Sequence, residues 1–266
     1  MIGGYFLKFL CIIRDITSIV SLKFDQNGLD FAERLSNGMI IMGHLEPKWF
    51  LSYKCITPLT FTTGLVPLIA VLKSAENKKV TAEMSEKEHV LCLKYDFSVT
   101  KPLGGLNATI MPALDMLEHN PGEIILQNKS SKVFKIDTVL LQTYIEKLYS
   151  FQDSVRFVIL DKILVLKTTK CKQAQISVDL AMKNPKGSEE KIAIEVPIKQ
   201  LSMFLAKSRI FNDVEIAIPK KPLYMIFRMR YEEHNGSDRG WISLVVPSIE
   251  RIENDAPHDL HLIESN

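Results

Sequence analysis

The chain has 266 residues, 46% hydrophobic and 24% charged, proportions that exclude a largely disordered or low-complexity protein and accommodate one large domain or two ordinary ones. The 33 Lys and Arg nearly cancel the 31 Asp and Glu, for a formal net charge of +2, so bulk charge cannot drive nucleic-acid binding and any such surface must be a local segregation of basic residues. Four scattered cysteines, Cys11, Cys55, Cys92 and Cys171, include no C-x-x-C pair, which argues against a disulfide framework or a zinc site.

The first apolar run, Tyr5–Ile13, is interrupted by Lys8 and followed by Arg14-Asp15 where a cleavable secretory signal needs small residues. It predicts a helix over Gly4–Arg14, with Phe6, Phe9, Leu10 and Ile13 on one stripe. No uninterrupted apolar run reaches the roughly 20 residues of a membrane helix. The sequons at Asn107, Asn128 and Asn235 carry little weight in a chain expected to be soluble and intracellular.

Ile19–Phe24 and Leu29–Arg34 are predicted strands around Asp25-Gln26-Asn27-Gly28, whose Asn-Gly step suits a tight hairpin turn. Met39–Leu45 and Phe50–Cys55 are further predicted strands, and Val66–Ala75 a helix with Pro67 in its first turn. Val80–Glu83 and Val90–Phe97 form a closing hairpin, and Leu117–Ser131, containing Asn120-Pro121-Gly122, reads as a connector. A strand over Lys132–Ile136 then leads into a helix capped by Asp137 and running to Ser150, with Leu140, Leu141, Tyr144, Ile145 and Leu148 as its apolar stripe. Strands are predicted at Val155–Leu160, Ile163–Thr168, Gln175–Leu180 and Ile192–Val196, a helix at Pro197–Lys207, and strands at Val214–Ile218, Leu223–Tyr231 and Trp241–Val246. After Ile249 the chain turns polar.

The order helix, strands, helix, strands thus occurs twice, at an offset of about 130–135 residues. It predicts an α+β chain of two similar domains, 1–117 and 132–250, joined by a connector at 118–131 and followed by a flexible tail at 251–266. Catalytic motifs are missing: there is no G-x-x-x-x-G-K-[ST], G-x-G-x-x-G, H-E-x-x-H or G-x-S-x-G. His44, His89, His119 and His234 are isolated, Glu232-Glu233 read as solvated loop residues, and His258 with His261 lacks the further ligands zinc needs. A non-enzyme with no metal and no cofactor is expected.

The run Asp25–Gly38, continuing through Met39–Met42, resembles the first hairpin and following strand of sliding-clamp subunits. Leu35-Ser36-Asn37-Gly38, Leu45-Glu46-Pro47-Lys48-Trp49-Phe50, Leu72–Asn77, Ile198–Ala206 and the closing Val245-Val246-Pro247-Ser248-Ile249 resemble in particular the Hus family of checkpoint-clamp subunits. The resemblance implies a DNA-clamp fold, with two helices packed on antiparallel sheet in each domain. It implies a non-catalytic subunit of a nuclear heterotrimeric ring that encircles double-stranded DNA without sequence preference and signals DNA damage to checkpoint and repair proteins. Two Rad-type clamp subunits would be its neighbours, and an ATP-driven clamp loader would place the ring on DNA. The alternative within the same fold is a homotrimeric replication clamp, strongly acidic outside where this chain is nearly neutral. One departure is that only Met1-Ile2-Gly3 precede the first helix, where clamp subunits begin with a strand.

A ring threaded by a polyanion needs basic residues on its inner helices. The residues matching that role are Lys8, Arg14, Lys73, Lys147, Lys199, Lys207 and Arg209, each of which can also be an ordinary solvated cation on a helix face. The segments matching the ring-closing strands are Asn107–Leu117 and Gln173–Met182. Positions matching the walls of the family's partner-peptide pocket are Met39, Leu117, Val245 and Pro247, which serve equally well as core or strand residues.

Overall fold

The structure is a computed structural model that describes residues 3–50, 52–74, 80–85, 90–96, 105–110, 130–160, 162–168, 175–187, 191–219, 223–232 and 238–249. The chain is α+β, with helices packed on antiparallel sheets. It divides into two compact units, Met1–Glu33 with His44–Pro121, and Arg34–Gly43 with Gly122–Asn266.

The first unit begins with α1 (Gly3–Ile16). Phe9, Leu10, Ile12 and Ile13 are buried along its inner side, and Phe9 meets Phe31 edge-on at 5.1 Å between ring centroids. Helix α2 (Leu65–Ser74) packs against α1. Strand β1 (Ile19–Asp25) lies between β2 (Gly28–Arg34) and β4 (Leu59–Gly64), antiparallel to both. Strand β3 (Ile40–Leu45) precedes β4 in the chain. A separate antiparallel sheet has the order β5 (Val80–Ser85), β6 (Val90–Asp96), β7 (Gly105–Ile110).

The β1–β2 turn differs from the Asn-Gly turn expected. Asp25 pairs with Gly28, which puts Gln26 and Asn27 at the tip, and of Asn27 and Gly28 only Gly28 has a positive φ, +137°. The Asn27 amide donates instead to Asp25 Oδ1 at 2.6 Å, an Asx turn. Gly28 is needed for a second reason: a Cβ there would run into the Leu45 carbonyl oxygen. The Tyr53 hydroxyl lies 2.8 Å from the Asp25 carbonyl and 2.5 Å from that of Gly28, and burial pushes its pKa up to about 12.

The strand expected at Phe50–Cys55 is not formed. Pro47–Trp49 makes a 3-10 turn, residues 52–58 are irregular, and the strand is Leu59–Gly64. Ser52, Lys54, Ile56, Thr57 and Pro58 are exposed and Tyr53 and Cys55 only half-buried, so the segment has no fully buried face, whereas Phe61, Thr62 and Thr63 are buried.

In the second unit β8 (Ser130–Asp137) feeds α3 (Thr138–Tyr149), whose first turn is capped as expected: the Leu140 amide donates to Asp137 Oδ1 at 2.9 Å. Leu141, Ile145 and Leu148 are buried, but Leu140 is 40% exposed and lies outside the core stripe to which its spacing assigned it. Strands β9 (Ser154–Leu160), β10 (Ile163–Lys167), β11 (Ser177–Ala181) and β13 (Ile192–Pro197) form a sheet in the order β11-β10-β9-β13. Pro197 ends β13 rather than opening the following helix, α4 (Lys199–Ala206). Gln142 ties α3 to α4 by donating to the Ala206 carbonyl at 3.4 Å.

A second sheet has the order β12 (Lys183–Gly187), β8, β14 (Asp213–Pro219), β15 (Tyr224–Glu232), β16 (Asp238–Pro247), with the Ile40–Gly43 part of β3 beside β16 in the same unit. Phe134, Phe157, Phe204 and Phe227 are fully buried at the centre, and Phe157 and Phe227 meet edge-on at 5.7 Å.

Candidate nucleic-acid interface

The basic residues expected at DNA fall on two helix pairs, one in each unit. On α1 and α2, Lys8 and Lys73 are exposed, while Arg14 is half-buried and paired with Asp15 at 2.8 Å. That pairing holds the Arg14 guanidinium pKa above its ordinary value. On α3 and α4, Lys147 and Lys199 are exposed; Lys207, also exposed, and Arg209 follow α4, and the Arg209 side chain lies outside the described residues. The Lys147 ammonium sits 5.5 Å from the Tyr144 ring centroid. In the first unit α1 and α2 carry Lys8, Arg14 and Lys73 against Asp15, and in the second α3 and α4 carry Lys147 and Lys199 against Glu146.

Helix stability alone accounts for part of this pattern. Arg14, Lys73 and Lys147 stand in the last turns of their helices, where a cation complements the helix dipole. Lys199 is different: it opens α4, at the end where the dipole favours an acid. Exposed cations of this kind hold phosphates loosely, without reading sequence and with steep salt dependence.

The segments matched to ring closure contain strands at sheet edges. Strand β7 ends the order β5-β6-β7, and β11 ends the order β11-β10-β9-β13. Residues 111–117 and 173–174 of those segments lie outside the described residues. Of the pocket positions, Met39, Val245 and Pro247 have buried side chains, and Leu117 lies outside the described residues.

Among the described residues no group of three or more His, Cys, Asp or Glu is placed to hold a metal ion. His89, His119, Glu233, His234, His258 and His261 lie outside the described residues, and Glu232 ends β15. His44 Nδ1 lies 2.7 Å from Asp30 Oδ1, and this hydrogen bond raises the His44 pKa above its ordinary 6.5. Because the folded value is the higher one, the pair's stabilisation is fully present below pH 6.5 and is lost as pH rises through the folded pKa. His44→Gln is expected to abolish this fall in stability above pH 6.5, read by urea denaturation across the pH series; an unchanged profile contradicts the pairing.

A shallow, open depression in the second unit, not expected from the sequence, is lined by Lys135, Asn212, Asp213, Glu215, Arg228 and Arg230 among others. The available signal was the alternation of Arg228 and Arg230 with the apolar Phe227 and Met229. The chain matches no protein-family model, and no curated protein matches it. Among the described residues, no helix is long and apolar enough to cross a membrane.

Proposed function

We propose that the chain is a non-catalytic subunit of a heterotrimeric ring clamp that encircles duplex DNA and reports DNA damage to checkpoint and repair proteins. One observation carries the reading: the same arrangement of elements occurs twice. Strand β1 lies between β2 and β4, and β9 between β10 and β13; each trio stands in the chain between two helices that pack together. Each second helix is followed by an antiparallel run, β5-β6-β7 in one case and β14-β15-β16 in the other. The positions agree as well, with α1 beginning at Gly3 and α3 at Thr138, and β4 at Leu59 and β13 at Ile192.

The second unit supplies a template for ring closure. There the last strand of the second copy, β16, lies beside β3, the strand that follows the first copy's opening hairpin. Exchanging the copies places β7 of one subunit beside β11 of the next, and among the described residues both are edge strands. A chain that makes one such junction internally and offers the two halves of another to its neighbours forms a closed ring when the rotation closes. The near-neutral charge favours the heterotrimeric checkpoint form, with two Rad-type neighbours, a clamp loader and a nuclear location.

The test is topological. Complexes assembled on the tagged full chain are loaded with their clamp loader and ATP onto a nicked circular plasmid. They are expected to survive a wash at about 0.5 M salt, which strips phosphate contacts, and to be released when the circle is cut. At low salt, before the wash, charge reversal at Lys8, Lys73, Lys147 and Lys207 is expected to weaken binding to DNA while leaving retention on the closed circle through the wash intact. Loss of the complex from circles and lines alike in the salt wash contradicts the proposal.

A further inference from the structure

We propose that β12 is a closed edge, built so that a second copy of this chain cannot pair along it, whereas β11, the strand before it, is open to a strand from a different chain. Among the described residues, β12 and β11 each end a sheet. A strand edge with no neighbour is a template for another chain, and two copies of one edge can pair with each other about a two-fold axis.

Four features close β12 within five residues. Pro185 has no amide to donate to an added strand. Asn184 has a φ of +49°, the one positive value at a non-glycine position among the described residues, which turns the chain out of the extended conformation. The register with β8 shifts between Lys183 and Lys186, which breaks the even spacing that a straight partner strand needs. Lys183 and Lys186 are both exposed; Lys183 is held by Asp213 at 2.7 Å, so Lys186 is the charge that two abutting copies would bring together. Proline, left-handed asparagine and register shift do not help β12 hold β8, because a regular strand would keep an unbroken ladder with it.

Strand β11 lacks these devices. Its residues, Ser177-Val178-Asp179-Leu180-Ala181, include no proline or lysine and keep one register with β10 from end to end. The Met182 amide donates to the Lys162 carbonyl and the Thr168 amide to the Ile176 carbonyl, so even-numbered residues turn their backbone groups to β10. Alternation points those of Ser177, Asp179 and Ala181 to the open side. Two copies of β11 in full overlap would oppose Asp179 to Asp179, like charges across a ladder, so the strand this edge accepts belongs to a different chain. The closure of β12 does not depend on the clamp reading; under that reading β11 is the edge that meets a neighbour.

The experiment regularises β12 in the full chain by Asn184→Thr, Pro185→Val and Lys186→Thr and compares it with wild type by sedimentation velocity. Between about 5 and 100 µM the variant is expected to gain mass with concentration, approaching about twice that of wild type, as a two-fold pairing of edges requires. Restoring Pro185 alone is expected to remove most of the gain. Asp179→Pro, which deletes an amide on the open side of β11 and leaves the β10 ladder in place, is expected to leave the gain intact. The proposal is overturned if the triple variant, folded by circular dichroism, sediments as wild type does, or if Asp179→Pro abolishes the gain and so assigns it to β11. Should the triple variant fail to fold, Pro185→Val alone decides on the same readout, with a smaller gain expected and no gain contradicting the proposal.

Discussion

Phe227→Ala is expected to lower the unfolding free energy of the second unit by about 3–5 kcal/mol, the cost of truncating a buried aromatic without full collapse of the space. Phe227 is fully buried on β15, and its ring is packed edge-on against Phe157 of β9, a strand of the unit's other sheet. The loss therefore includes an aromatic contact worth about 0.5–1.5 kcal/mol beyond the buried area. The chain holds two tryptophans, Trp49 in the first unit and Trp241 in the second. Urea titration of a Trp49→Phe background follows Trp241 alone and isolates the relevant transition. Phe227→Leu, which keeps most of the volume, should cost about 1–2 kcal/mol. A loss below about 1 kcal/mol for the alanine variant would contradict the burial of this ring.

The second large effect belongs to the β1–β2 turn. Gly28→Ala is expected to destabilise the first unit by roughly 3 kcal/mol or to prevent its folding, because two independent penalties coincide. The backbone at φ +137° lies where L-residues rarely go, and the new Cβ meets a backbone oxygen, that of Leu45, which cannot swing aside as a side-chain tip would. Gly64→Ala is the control. Its Cβ would meet Pro67 side-chain atoms at ordinary contact distances of 3.5 and 3.6 Å, and a change within about 0.5 kcal/mol is expected. Trp49 fluorescence reads both variants. Equal effects from the two glycines would show that the strain argument at position 28 is wrong.

The parts of this fold legible in the sequence are those set by local chemistry. Asp137 announces a helix start because its carboxylate satisfies an amide that the first turn leaves open, and the structure shows that bond. Most strand limits follow from alternation, as in Val214, Ile216 and Ile218, all buried. Misses arise where partners distant in sequence decide. Strand β12, Lys183–Gly187, contains Pro185, lysines and glycine and does not read as a strand; it exists because an edge tolerates a missing amide and β8 offers it a ladder. Leu140 fits a helical stripe within the resolution of counting, yet its place on the exposed side is fixed by how α3 packs. The site divides in the same way. Lys8, Lys73 and Lys147 are readable as cations off the apolar stripes of their helices, whereas the depression is assembled by cross-strand register among β8, β14 and β15, which a single sequence does not display.

Electron microscopy of the particle that the tagged full chain forms with its natural neighbours bears most directly on the central claim. The account predicts a closed ring of three subunits around a hole wide enough for duplex DNA, with β7 and β11 at the subunit junctions. A particle without a central hole, or a ring in which those two strands lie away from every junction, would contradict it.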